Sequence, residues 1–269
     1  CDASPIGFRG DVYDMKNASE QAGVHIICAT GLYNARAQPE EYANKSENEL
    51  ITCLTREIRE GIDGTGIKPG FIKCALNDLN PDNTIHEREL KTLRACARTA
   101  AETGLSLHVH TAVPLTCDHI LHGVEIAVNE CGMWPDKLYM MHLDAYLRTP
   151  ANIADYYSNI ETVRSVNTDL QTKVLEKGVT IGFDSWGMLV SIVPDDYDRI
   201  KGLVDLLKKG YASQIVLGHD VYDKSRGVTY GYTGFTGFAG FALPILKELG
   251  FNNEINKLTI DNPARLLAY

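Results

Sequence analysis

GIKPGFIKCAL (residues 66–76) decides the fold. It ends in a short apolar, strand-like run that carries one charged residue, Lys73, at its inward-facing end. Three later stretches repeat the design: LHVHTA (107–112) with His110, LYMMHLDA (138–145) with His142, and QIVLGHDVY (214–222) with Asp220. Each is a β-rich run closed by a base or a carboxylate. In a barrel of parallel strands such ends converge on one face, where active sites are built. Lys73, His110, His142 and Asp220, in that order, are the residue types that hold a pair of divalent metals.

Between these runs the chain alternates strand, loop and helix. Strands are expected at 24–29, 67–74, 105–111, 138–143, 179–184 and 214–219. Helical periodicity marks 47–63, 86–104, 119–132, 198–212 and 240–250, with a further helix near 150–177 and a last one at 262–269. The chemistry-bearing strand ends recur at roughly the 30 or more residues that one βα unit needs. Even spacing of this kind implies a single parallel sheet and one domain over 1–269. A doubly wound open sheet could also use six strands. No Gly-rich dinucleotide or phosphate turn follows any of them.

Composition narrows the classes. The chain has 269 residues, 44% of them hydrophobic, which suffices for one sizeable core. A formal charge of −9 argues against nucleic acid as a partner. No apolar run approaches the ~18 residues of a membrane span. The seven cysteines have no paired spacing, which suits a reducing, cytoplasmic compartment. A chain starting at Cys1 also admits a lipid-modified secreted form.

Each candidate has a plainer reading beside the chemical one. Lys73 is costly to bury charged. As a neutral amine beside metals it can add carbon dioxide and bridge them as a carbamate; alternatively it snorkels to solvent. His110 and His142 can each offer a neutral nitrogen to a metal. His108 shares the face of His110, two residues away, and is read as a deeper core residue. Asp220 can bind a metal and accept a proton from water. Asp184, in GFDSWG, either orients substrate or holds a loop. The Gly- and aromatic-rich stretch 221–241 reads as a long mobile loop. Its Arg226 is either a contact for an anionic substrate or a solvated charge.

The motifs DASPIGFRGD, GVHIICATGLY, EIREGIDGTGIKPGFIKCAL, HVHT, MMHLD, GFDSWG, LGHD and DNPARLLAY run from residue 2 to 269. In this order and spacing they resemble the phosphotriesterase family of the amidohydrolase superfamily. The resemblance implies a (β/α)8 TIM barrel of the metal-dependent hydrolase type, with two divalent metals, zinc first and manganese or cobalt as alternatives. It implies that Lys73 is the carboxylated bridging lysine, that His110 and His142 bind the second metal, and that Asp220 binds the first and is the proton acceptor. Tyr33, in ATGLY, falls where lactone-hydrolysing members carry a tyrosine that contacts the substrate carbonyl. Ala145 and Ser185 stand where phosphotriester-specialised members carry a proton relay.

The expected activity is therefore hydrolysis of a small lactone or related carboxylic ester, with phosphotriester hydrolysis as the alternative. Tyr33, Asp184 and Arg226 are the expected substrate contacts, and a homodimer is left open. The family's opening His-x-His strand has no counterpart, so the barrel is expected to lack its first one or two strands. A truncated, non-catalytic barrel is the competing reading. The upstream reading frame, or the intact mass of the native protein, discriminates the two.

Overall fold

The computed structural model describes residues 1–148, 158, 165–188 and 194–268. Its strands are β1 (Ala29–Gly31), β2 (Phe71–Leu76), β3 (Leu107–Thr111), β4 (Leu138–Met140), β5 (Thr180–Phe183) and β6 (Ile215–Leu217). They follow one another in the sheet in chain order. The β1·β2, β2·β3 and β5·β6 ladders are parallel. The principal helices are α1 (Val12–Ala22), α2 (Glu47–Glu60), α3 (Glu87–Thr103), α4 (Cys117–Glu125), α5 (Asp169–Leu175), α6 (Asp196–Lys208), α7 (Ala242–Glu248) and α8 (Asn262–Leu267). Among the described residues no helix is long and apolar enough to cross a membrane. The chain forms two compact units, Cys1–Tyr139 with Leu266–Tyr269, and Met140–Arg265.

In the first unit all six residues of β2 are buried, as expected of a parallel strand covered on both faces. α2 starts at a capping box in which Ser46 N–H donates to Glu49 Oε2 at 2.8 Å. α3 stops at Gly104, whose left-handed backbone lets its N–H reach Ala100 O. α3 lays Leu93, Cys96, Ala97 and Ala100 against β2, all four buried. Burying a leucine such as Leu93 contributes about 1.5–3 kcal/mol.

The first strand lies later than its apolar run suggests. Val24 and Ile26 are 62% and 36% exposed; Cys28 makes an isolated parallel bridge to Asp2, and the ladder with β2 begins only at Ala29↔Phe71. The partner explains the shift. Pro69 has no N–H to give to a ladder, so Gly70 makes the first bond, to Cys28 O at 2.9 Å.

In the second unit Asp195 caps α6 by accepting the N–H groups of Tyr197 and Asp198 at 3.0 Å each. β4 ends at Met140 and β6 at Leu217, earlier than expected. His142 and Asp220, just beyond those ends, have φ of 61° and 46°. Most of the helix expected near 150–177 lies outside the described residues, and its last part is α5. The 221–241 stretch is not structureless: it folds into short 3-10 turns at Lys224–Arg226, Val228–Tyr230 and Gly234–Thr236, then a helical turn at Gly237–Gly240.

Candidate active site

In the first unit the site is laid out by strand register. Gly31 stands opposite Lys73, Lys73 opposite His108, and Ala75 opposite His110. In-register neighbours of a parallel ladder share a face, so Lys73, His108 and His110 share one. Lys73 is mid-strand rather than terminal, because β2 runs on to Leu76, and it is 2% exposed. The snorkelling alternative therefore fails: Lys73 is held inside. His108 is also buried; its ring stacks on Phe71 with centroids 4.2 Å apart and meets Tyr139 edge-on at 4.9 Å. Those contacts are those of a core histidine.

Tyr33 follows β1 directly. Its hydroxyl lies 3.2 Å from Nε2 and 3.3 Å from Nδ1 of His110, with ring centroids 5.0 Å apart. The ring of Phe8 backs it edge-on at 5.1 Å. Gly31 makes this approach possible. Its φ is 113°, and a Cβ there would sit 1.9 Å from Lys73 O. The same carbonyl accepts the N–H of Leu32 at 3.0 Å.

In the second unit His142 Nδ1 lies 2.8 Å from Asp184 Oδ1, and the His142 backbone N–H donates to the same oxygen at 3.0 Å. Asp184 thus orients a histidine; in the described structure its partner is His142. Two residues past His142, Asp144 accepts from Ser185 N–H and Oγ at 3.1 Å each and from Arg199 Nε at 2.8 Å. Arg199 Nη1 continues to Asp196 Oδ1 at 2.9 Å, and Asp196 accepts Gly187 N–H. Asp144 and Arg199 are both fully buried. Burial pushes the Asp144 carboxyl pKa up, and the Arg199 guanidinium offsets only part of that.

Asp220 is half-buried, two residues after Gly218, where a Cβ would meet Asp184 Cβ at 2.9 Å. His219 stacks on Phe238, with centroids 4.5 Å apart, and burial lowers its pKa. Arg226 lies over the ring of Tyr222, 4.2 Å from its centroid, and donates to the Tyr222 hydroxyl at 2.7 Å. Arg226 is thereby engaged within its own loop.

Tyr33 is thus brought to His110, and Asp184 to His142. Tyr33, Lys73 and His110 belong to the first unit; His142, Asp184, Asp220 and Arg226 belong to the second. Among the described residues no three His, Cys, Asp or Glu groups gather closely enough to hold a metal ion. The donor chemistry nevertheless suits one. A buried lysine can become a carbamate, and a histidine whose Nδ1 is committed to a carboxylate presents Nε2 in a fixed direction. Asp144 lies in MMHLD, but Arg199, Asp196 and the buried Glu89 had no motif to announce them. Their signal was a charge on an apolar helical stripe: Glu89 with Leu93, Cys96 and Ala97, and Arg199 with Leu203 and Leu206.

Parallel strands with titratable side chains on and just beyond them define the class. The chain belongs to the phosphotriesterase family, whose model matches residues 1–150 and 159–267. It is similar to the N-acetyltaurine hydrolase of Dictyostelium discoideum, 26% identical over 270 residues covering 97% of this chain and 66% of that protein. The chain thus spans just under two thirds of that relative. The human N-acetyltaurine hydrolase is 27% identical over 269 residues, 98% of this chain and 71% of that protein. Among solved structures, a variant of a PTE-like lactonase from Deinococcus radiodurans superposes with TM-score 0.79 and 26% identity, covering 99% of this chain and 80% of that one. The phosphotriesterase homology protein of Escherichia coli shares the fold at TM-score 0.81 and 22% identity, covering 98% and 81%. The six parallel strands are accordingly part of a (β/α)8 barrel of this family's type.

Proposed function

We propose that the protein hydrolyses a carboxylic acyl substrate, a lactone or related ester, with the help of two divalent metal ions. The observation that carries this reading is the Tyr33 hydroxyl set beside His110, on a loop that leaves β1 next to buried Lys73. Lys73 as its carbamate and His110 in the first unit, and His142 and Asp220 in the second, are the residues suited to hold zinc or a similar metal, which would supply an activated water and polarise the acyl oxygen. Tyr33 donates a hydrogen bond to that oxygen as charge develops on it. Asp220 takes the proton of the attacking water and returns it to the leaving group. Asp184 keeps the His142 ring from rotating.

A second reading keeps the same chemistry and changes the bond. Two similar proteins carry the name N-acetyltaurine hydrolase, which supports an N-acyl amide of a small anionic amine as substrate. The test is to assay the full-length protein with zinc or manganese on lactones, N-acyl amino sulfonates and a phosphotriester. Asp220→Asn is expected to abolish most turnover. Tyr33→Phe is expected to cost about 1–3 kcal/mol of transition-state stabilisation. Preference for the phosphotriester would overturn the acyl reading, and full activity after exhaustive metal removal would overturn the metal reading.

A further inference from the structure

Glu89 is fully buried on α3, facing the sheet. Its two carboxylate oxygens serve two separate loops. Oε1 accepts the N–H of Ala35, in the loop after β1, at 3.0 Å. Oε2 accepts the N–H groups of Asn77 and Asp78, just after β2, at 2.7 and 3.1 Å. One turn along the same helix, Thr92 Oγ1 accepts from Gln38 Nε2 at 3.0 Å, and Gln38 Nε2 also donates to Tyr33 O at 3.0 Å. The backbone of Tyr33 is therefore tied to α3 on its carbonyl, through Gln38, and two residues on, through Ala35. Burial raises the Glu89 carboxyl pKa, and the three N–H groups pull it back down.

A buried carboxylate is a costly way to close a loop unless both of its oxygens are needed. Here both are. Glutamine has one acceptor oxygen, so in either orientation its NH2 would face one of the two loops and leave that loop's N–H unpaired. The arrangement joins the start of the Tyr33 loop and the end of the Lys73 strand through a single side chain.

We propose that Glu89 is a positioning residue for Tyr33: from the buried face of α3 it fixes the 32–38 loop so that the Tyr33 hydroxyl stays against the His110 ring. Its catalytic consequence rests on the role given to Tyr33 above; its structural content does not. A displacement of about 1 Å in such a group is enough to lower turnover strongly.

The experiment places 3-fluorotyrosine at position 33 of the full-length protein and records its 19F resonance in wild type, Glu89→Gln and Thr92→Val. Both variants are expected to shift or broaden the Tyr33 signal, and Glu89→Asp to recover it in part. An unchanged signal in folded Glu89→Gln overturns the proposal whatever the activity. Should Glu89→Gln not fold, Glu89→Asp decides, because its shorter carboxylate cannot reach both loops as Glu89 does: a shifted or broadened Tyr33 signal is expected, and an unchanged one overturns the proposal. On the best substrate, Glu89→Gln is expected to lower kcat about tenfold with KM moved less than about twofold, and to cost less than about twofold in a Tyr33→Phe background. An equal loss in both backgrounds means that Glu89 acts elsewhere and overturns the proposal. If Tyr33→Phe alone leaves turnover unchanged, the functional role of Tyr33 fails, and the 19F signal still decides the positioning.

Discussion

His142 binds one oxygen of Asp184 twice, through ring Nδ1 at 2.8 Å and backbone N–H at 3.0 Å. The double contact fixes both the ring plane and the turn that carries it. It also holds a histidine in the left-handed region, at φ 61°, a conformation that costs on the order of 1–3 kcal/mol. Asp184→Asn weakens the partner of Nδ1 and is expected to lower zinc affinity of the full-length protein about 10–100-fold. Competition against a chelator of known affinity measures this. Unchanged zinc retention would mean that His142 is not a ligand or that its ring needs no holding.

Arg199 and Asp144 form an ion pair with both side chains fully buried. Replacing Arg199 with Met leaves Asp144 uncompensated and is expected to cost about 3–5 kcal/mol at neutral pH. The loss depends on pH in a definite direction. Folded Asp144 binds its proton more tightly than the unfolded chain does, so its contribution to stability is complete below the unfolded carboxyl range, near ~3.9, and is lost as pH rises through the folded value. Without Arg199 that folded value climbs further. Urea unfolding should therefore show the variant's deficit shrinking as the pH is lowered from about 8 to about 5. A deficit that grows on acidification would contradict the assignment.

Gly31→Ala tests the closest backbone approach in the first unit. The new methyl would overlap Lys73 O, and the left-handed φ would add strain. The expected cost is about 3 kcal/mol or more, read as a drop in Tm or as insoluble protein. A variant of wild-type stability would show that β1 and β2 sit further apart than the register implies.

The thiols separate by burial. Cys1 is exposed and Cys53 and Cys117 are half-buried, whereas Cys28, Cys74, Cys96 and Cys131 are buried. Burial pushes the pKa of Cys28, Cys74 and Cys131 up, which suppresses the reactive thiolate. Native alkylation followed by peptide mass mapping should label Cys1, Cys53 and Cys117 first, and the four buried thiols only after denaturation. Early labelling of Cys74 would mean that α3 opens away from β2.

The strands that carry Lys73 and His110, and the one that leads to His142, were legible because an apolar run with a polar residue at or near its end needs no tertiary information. The start of β1 was not. Val24 and Ile26 have strand composition, yet whether they pair is decided by Pro69 on the neighbouring segment. The turns at His142 and Asp220 were missed for a related reason: a left-handed backbone at a non-glycine residue leaves no compositional trace. Asp184 stood undecided between substrate and loop, and its bond to His142 needed a partner 42 residues away in sequence to be seen. Glu89 and Arg199 show the commoner limit. Each reads as an ordinary helical charge until the groups opposite it are known.

The close approach of Gly31 to Lys73 has an evolutionary consequence. Residue 31 cannot vary without moving a strand, and the Ala35 and Gln38 anchors fix the loop as far as the edge of the Glu40–Ala43 turn. Between these two fixed ends the half-buried side chain at 33 can be exchanged without reopening the backbone that carries it, at the cost of its contact with His110. The molecule thus offers a natural cassette, in which new specificities are sampled at the half-buried or exposed positions 33, 34, 36 and 37 while the buried Leu32, Ala35 and Gln38 and the sheet beneath keep their geometry. Libraries bounded at Gly31 and Gln38 would explore substrate range at the least risk to folding.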